Sequence, residues 1–300
     1  MQFDKLPLTI EQQADLLLYR GLIADKEVLM NRLAVVSYYR LSTYLYPFRM
    51  PDQRYKKGTT LDIVWLHYTF DRQLRLLTMD AIERVEVAVR TKLAYHFSHS
   101  FGVFAYIDQI NLPDLSVDVH QKWIDELKEE IERSKEPFIV HFNQKYGDMH
   151  TMPPLWMAIE VMSFGKTLTM YRGIDYRMKQ KISVHYNVSD EILFSWLIAL
   201  NSVRNICAHH GRLIDRVLGY QPKIPREQKY PEWHTPVKIT RERIFSILTI
   251  LRYLLRYDAP TSSWEKRLRT LFSDYHEIPM HVMGFPKHWE ESPIWKNNSI

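Results

Sequence analysis

Three residues with complementary chemistry, Arg204, Asn205 and His209, fall within one short stretch of the chain. Asn205 and His209 are four positions apart, and on an α-helix that spacing places two side chains on one face, about one turn apart. Arg204 starts off that line, but its long side chain can bring its guanidinium to the same place. If this stretch is helical, the three side chains can act on one substrate.

This combination of side chains suits the cleavage of RNA without a metal ion. The reaction needs a proton acceptor for the ribose 2′-hydroxyl, a proton donor for the leaving 5′-oxygen, and positive charge beside the phosphorane-like transition state. Histidine can exchange protons near neutral pH because its unperturbed pKa is about 6.5. The Arg204 guanidinium can bind phosphate oxygens, and Asn205 can hydrogen-bond the imidazole or a phosphate oxygen. Arg204, Asn205 and His209 are therefore the candidate catalytic residues.

The residues around this stretch predict a helix that ends at it. Ser189 is a good N-cap, and Gly211 suits the position just past a helix C-terminus. We therefore expect a helix over Asp190–His210, with the three candidate residues in its last two turns. Because a helix C-terminus favours positive charge, His209 is expected to act as an acid or as an electrostatic stabiliser.

The rest of the chain predicts an all-α fold. Only 9 of the 300 residues are glycine, and apolar residues recur at intervals of three and four. One domain over residues 1–300 is expected, without a clear internal boundary. A Pro-containing loop is expected over residues 211–236. Besides 190–210, the predicted helices cover residues 10–20, a stretch from Asp25, a stretch through Tyr38–Leu41, and residues 61–101, 123–133, 155–164, 176–185 and 241–257.

Positive charge is concentrated after the candidate residues. From Arg204 to Arg243 there are nine Lys or Arg against four Asp or Glu, a net charge of +5 that equals the charge of the whole chain. Such a segment suits a phosphate backbone, although a solvated basic loop explains the charge almost as well. The candidate RNA-binding residues are His210, Arg212, Arg216, Arg226, Lys229 and Lys238.

Several other kinds of protein are not expected. Cys207 is the only cysteine, so no disulfide can form within the chain, and it lies about half a turn from the face of His209, which argues against a Cys-His nucleophile. His209 and His210 diverge by about 100° on a helix, and no HExxH or CxxC pattern accompanies them, so we expect no metal or other cofactor. Without a signal peptide or a membrane-spanning segment, a cytoplasmic location is expected.

The string RNICAHHGRL, Arg204–Leu213, resembles the R-x4-6-H motif of HEPN ribonucleases and looks like the abortive-infection proteins of the AbiD/AbiF group. The resemblance extends from about Lys5 to Tyr257. It implies an all-α, HEPN-like helical bundle with additional N-terminal helices and a basic, Pro-containing loop after the motif helix. It also implies an endoribonuclease of bacterial anti-phage abortive infection, in some relatives associated with a structured noncoding RNA. Other similar segments are Tyr38–Leu41, Glu83, Glu86 and Arg90, Leu155-Trp156, and Phe164-Gly165.

Two alternatives to an active ribonuclease stay open. The protein could bind a structured noncoding RNA or a partner without cleaving RNA, or it could be a toxin that a modifying partner silences.

The source of a second histidine is also open. HEPN ribonucleases generally build one site from two motifs, which favours a homodimer here. Arg90 and His96 are a candidate second half-site within one chain, ranked lower because Arg90 can simply pair with Glu86 four residues earlier.

Overall fold

A computed structural model of the chain describes residues 6–296, and these form α-helices and short 3-10 helices without a β-strand. This confirms the prediction of an all-α fold. Lys5, where the resemblance to the AbiD/AbiF group begins, lies outside the described residues. The α-helices within the described range are α1 Ile10–Tyr19, α2 Lys26–Val36, α3 Tyr38–Leu45, α4 Leu61–Phe101, α5 Val117–Arg133, α6 Pro137–Tyr146, α7 Leu155–Val161, α8 Phe164–Gly173, α9 Tyr176–Ser183, α10 Asp190–Ala208, α11 Ile244–Asp258 and α12 Trp264–Asp274.

Local capping explains where several of these helices begin. Helix α1 begins with a capping box, in which the Thr9 side chain accepts from the Gln12 amide while the Gln12 side chain accepts from the Thr9 amide. Asp25 caps α2, and Ser189 caps α10, as predicted. The predicted single helix over residues 155–164 is wrong, because the Ser163 side chain caps a new helix there and separates α7 from α8. Helices α6 and α12 were not predicted.

The chain divides into two compact units. Among the described residues, the first comprises 6–76 together with Lys266–Pro279, and the second comprises Leu77–Glu265 together with 280–296. The first unit contains α1 to α3, the expected additional N-terminal helices. Helix α4 contributes residues to both units.

The candidate catalytic stretch belongs to the second unit, where α10 is packed along most of its length. The Trp196 ring is fully buried, and its centroid lies 5.0 Å from that of Trp233 and 5.5 Å from that of Tyr253 on α11. Its indole nitrogen donates to the Lys223 carbonyl at 2.9 Å. The proline-containing loop after α10 therefore runs back along the helix. Burying each large apolar side chain of this kind stabilises the fold by roughly 1.5–3 kcal/mol, which holds α10 firmly in place.

In the part of the chain that the structure describes, no helix combines the length and the apolar character needed to cross a lipid bilayer.

Candidate functional site

Arg204, Asn205 and His209 lie where α10 reaches the protein surface. Val203 and Cys207 on the inner face of the same turns are buried, whereas Asn205 and His209 are exposed and Arg204 is half-buried. Arg204 Nη1 donates to Asn205 Oδ1 at 3.4 Å. The inner face anchors the last turns of the helix in the core, and the outer face presents the three candidate side chains to a ligand.

The end of α10 differs slightly from the prediction. The helix stops at Ala208, His209 is the C-cap, and His210 adopts a left-handed backbone conformation with φ 57°. The His210 amide donates to the Cys207 carbonyl at 2.9 Å, and the Gly211 amide donates to the Ile206 carbonyl at 2.7 Å. These two bonds form a Schellman motif, in which the left-handed residue is His210 and not the expected Gly211.

Gly211 has a different role from the one expected, which is to permit a close approach of the chain to α10. A Cβ atom at Gly211 would lie 2.9 Å from Ile206 Cγ2, closer than real Cβ contacts allow. Without a side chain at this position, the backbone can fold tightly against the last turn of α10. The Schellman turn then directs the chain away and leaves the His209 side chain exposed.

Glu86 of α4 interacts with two arginines. It forms an ion pair with Arg90, and both Arg90 and Arg204 act on its carboxylate electrostatically. Burial raises the pKa of Glu86, and this outweighs the opposing effects of the Arg90 and Arg204 charges. Glu86 is one of the residues that resemble the family, but its sequence position alone does not predict a role in the site. The i,i+4 pair with Arg90 is visible in the sequence, but the approach to Arg204 depends on how α4 lies relative to α10.

The junction between α7 and α8 also contributes to this region. Arg90 Nη2 donates to the Met162 carbonyl at 2.6 Å, and Met162 is extended at the break between these helices. Gly165 of α8 lies close to α10, because a Cβ atom at this position would be 3.7 Å from Nδ2 of Asn201. Asn201 precedes Asn205 by one turn of α10. The junction thus packs beside α10 and holds Arg90 in place next to Glu86.

Arg90 and His96, the candidate second half-site, have different neighbours. Arg90 bonds to Glu86 and to the Met162 carbonyl. The pKa of His96 is lowered by burial and then by the positive charges of Lys181, His99 and Lys92. Arg90 and His96 are also six positions apart on α4, and at this spacing two side chains point about 120° away from each other around the helix axis. The structure therefore does not bring these two side chains to a common point.

Five of the six candidate RNA-binding residues form two groups at opposite ends of α10. His210, Arg212 and Arg216 follow the helix directly, and Arg216 Nη1 donates to the Arg212 carbonyl at 3.5 Å. At the other end, Arg226 acts electrostatically on Glu191 in the first turn of α10, and Lys229 lines a cavity with Asp190.

The two groups are far apart, because a helix of 19 residues is about 28 Å long. Lys238 belongs to neither group. It is exposed and precedes Ile239, whose amide donates to the Trp233 carbonyl at 3.1 Å. The expected basic segment is thus divided by the packing of the loop along α10, and only His210, Arg212 and Arg216 adjoin the candidate catalytic residues.

Two further predictions concern cysteine and metal ligands. The Cys207 side chain is buried, which confirms the prediction that it is a small core residue. Among residues 6–296, no three His, Cys, Asp or Glu side chains come together in a way that could hold a metal ion.

Comparison with known proteins assigns the chain to a family. A family model described as Abi-like protein matches residues 31–215, more than half of the 300-residue chain. The matched region includes Glu86, Arg90 and all three candidate catalytic residues. Neither a curated protein nor a solved structure gives a match.

Proposed function

Because the chain belongs to the family of Abi-like, abortive-infection proteins, we propose that it is a HEPN-type endoribonuclease of bacterial anti-phage defence. The observation that carries the proposal is the grouping of Arg204, Asn205 and His209 on the exposed end of a helix whose other face is buried. Arginine, asparagine and histidine presented in this way suit a phosphodiester that arrives from solvent.

The proposed reaction is an attack by the ribose 2′-hydroxyl on the adjacent phosphorus. A base removes the 2′-hydroxyl proton, the new bond between the 2′-oxygen and phosphorus forms, and the bond from phosphorus to the 5′-oxygen breaks. An acid then gives a proton to the leaving 5′-oxygen. The products are a 2′,3′-cyclic phosphate, or its hydrolysed 3′-phosphate, and a 5′-hydroxyl. In this scheme all the chemistry comes from protein side chains, and no cofactor takes part.

Each of the three residues has a defined part in this scheme. The fixed positive charge of Arg204 binds the non-bridging phosphate oxygens, where negative charge increases in the transition state. His209 transfers a proton, and Asn205 holds the imidazole or a phosphate oxygen in position. Glu86 is given the part of a positioning residue, since its carboxylate interacts electrostatically with the Arg204 guanidinium from α4.

The same scheme leads us to propose a homodimer. The reaction requires both a base and an acid near one phosphate, and each α10 end presents one histidine in the candidate catalytic set. A two-fold axis beside this surface would add a second Arg204, Asn205 and His209 from an identical chain, and such isologous contacts are the commonest way in which soluble chains associate. The exposure of Asn205 and His209 leaves room for this arrangement.

One observation favours a second candidate function, RNA binding without cleavage. The basic group that contains Arg226 and Lys229 lies at the end of α10 opposite to His209, where it could hold RNA that is never cut. A protein of this kind would hold a structured noncoding RNA. It would not cleave RNA, so substitutions at Arg204, Asn205 or His209 would change no cleavage rate. If a modifying partner silences the protein, the unmodified protein should cleave RNA and the modified protein should not.

Substitutions at Arg204 test the proposal. Arg204→Ala is expected to lower the rate of RNA cleavage by about 10²–10³-fold, because it removes a charged group that stabilises the transition state. It should also weaken RNA binding. Arg204→Lys is expected to regain part of the binding but little of the cleavage, because an ammonium group cannot reproduce the forked contact of a guanidinium. Single-turnover cleavage and RNA affinity, measured on the same preparations, separate the two effects.

The matched control is Arg172→Ala, which removes an exposed arginine from the last turn of α8. This variant should cleave RNA like the wild type. A fully active Arg204→Lys protein would show that two-pronged phosphate recognition by Arg204 is the wrong account.

A further inference from the structure

A cavity of about 510 Å³ lies between α4 and α7, within the second of the two units. Its volume is in the range of about 300–1,000 Å³ that is typical of small-ligand sites. Two aromatic side chains in its wall are open to solvent, since Tyr95 of α4 is 58% exposed and Trp156 of α7 is 49% exposed. Exposed apolar surface that is gathered in a cavity is typical of binding sites.

Contacts within the protein position both aromatic residues. The ring centroids of Tyr95 and His99 lie 4.2 Å apart, and His99 Nδ1 donates to the Tyr95 carbonyl at 2.8 Å. At the start of α7, the Leu155 side chain is buried and its amide donates to the Val103 carbonyl at 2.9 Å. These contacts anchor the turn that carries Trp156. Aromatic side chains on a rigid backbone lose little conformational entropy when a flat ligand stacks on them.

The charge of the wall favours a nucleobase over a phosphate group. Among the described residues, no lysine or arginine lines the cavity, whereas Glu160 does and is exposed. Glu160 follows Trp156 by four residues, so the two side chains share one face of α7. The Glu160 carboxylate would repel a phosphate group, but it can accept hydrogen bonds from the N–H groups of a base. A base stacked between aromatic rings and hydrogen-bonded at its edge is the usual form of single-stranded RNA recognition.

The cavity adjoins the candidate functional site. Thr91, which lines the cavity, directly follows Arg90, and Glu160 precedes Met162 by two residues. Arg90 donates to the Met162 carbonyl and pairs with Glu86, so one end of the cavity is next to the residues that surround the end of α10. A ligand that extends from the candidate catalytic residues along α4 therefore reaches this cavity.

We propose that the cavity binds a base of the RNA substrate, stacked on Tyr95 and Trp156, at a short distance along the strand from the bond that is cut. The identification of the ligand as the substrate rests on the proposed function. Glu86 interacts with Arg204, and Tyr95 lies nine residues further along α4, which corresponds to roughly 13 Å. Because bases within a duplex are already stacked on each other, the cavity would select single-stranded RNA.

Three variants test the stacking. Trp156→Leu and Tyr95→Leu keep an apolar side chain but remove the ring, and each should weaken the binding of single-stranded RNA by about tenfold. Trp156→Phe keeps a ring and should retain most of the affinity. Both side chains are about half exposed, so the melting temperature should change little. Binding is measured by fluorescence anisotropy in proteins that also carry His209→Ala, so that the RNA stays intact.

A series of RNAs in which each residue in turn lacks its base then locates the stacked position. With the His209→Ala parent, loss of the base should weaken binding by about tenfold at one or two positions. The Trp156→Leu protein should be insensitive to base loss at the same positions, because its stacking contact is already absent. The matched control is Tyr176→Leu on α9, outside this cavity, where the tyrosine is also 58% exposed. This control should behave like the parent throughout.

Equal sensitivity of the parent and the Trp156→Leu protein to base loss at every position overturns the inference. A loss of dimer in the Trp156→Leu protein with unchanged RNA affinity also overturns it, because the exposed rings would then belong to a contact between protein chains. The proposed function is judged separately, by whether the protein with His209 intact cleaves RNA. If it does not, and the base-loss pattern still depends on Trp156, the cavity is the base site of a protein that binds RNA without cutting it.

Discussion

Replacing His209 with Ala is expected to slow RNA cleavage by about 10²–10⁴-fold, the usual contribution of a positioned acid or base. The melting temperature should stay the same. The His209 side chain is exposed, and the end of α10 is closed by bonds from the backbone amides of His209, His210 and Gly211. Alanine preserves all of these bonds. RNA affinity should also be largely preserved, because Arg204 and the adjoining Arg212 and Arg216 remain.

The matched control for this variant is His141→Ala, which removes an exposed histidine from α6. It should cleave RNA at the wild-type rate. Undiminished cleavage by the His209→Ala protein, with the same products, would remove His209 from the mechanism. A marked fall in its melting temperature would instead identify His209 as a structural residue.

A heterodimer of one wild-type chain and one His209→Ala chain is expected to be nearly inactive. If the base and the acid come from the two copies of His209, a dimer with a single histidine lacks one of them. Its cleavage rate should then fall by about 10²–10⁴-fold, as in the His209→Ala homodimer. The two chains can be given different affinity tags, produced together and purified in sequence, so that only the heterodimer is assayed.

The corresponding heterodimer of wild-type and His141→Ala chains should be fully active, which controls for the tags and for the handling. Half of the wild-type activity in the His209→Ala heterodimer would mean that each chain carries a complete site. Together with a monomeric mass in solution, that outcome would refute the proposed dimer. It would also revive a site within one chain, in which Arg90 and His96 supply the second half, and His96→Ala should then abolish cleavage.

Strong local patterns in the sequence were sufficient to predict much of the fold. The long apolar repeat of α4 predicted its bounds at residues 61 and 101, and a serine followed by acidic residues predicted the start of α10. The same reasoning failed at Ser163, where a cap interrupts a pattern that reads as one helix. Helix α12 was missed, whereas α1, which is about as short, was predicted because a capping box marks its start.

Features of the site that depend on distant parts of the chain could not be predicted. The sequence shows that Glu86 can pair with Arg90, but not that it also lies near Arg204 of α10. Similarly, the charge count from residue 204 to 243 suggested one basic surface, whereas the loop turns back along α10 and carries Lys229 to its far end. Both features are set by packing between elements and not by local propensity.

The central claim, that this chain cleaves RNA through the 2′-hydroxyl without a metal ion, is tested most directly by one substrate pair. A labelled RNA and the same RNA with a single 2′-deoxy residue at the cleavage position are incubated with purified protein in excess EDTA. We expect the RNA to be cut, leaving a 2′,3′-cyclic phosphate or 3′-phosphate and a 5′-hydroxyl, and the 2′-deoxy substrate to remain uncut at that position. Cleavage of the 2′-deoxy substrate there, or ends with a 3′-hydroxyl and a 5′-phosphate, would contradict the claim.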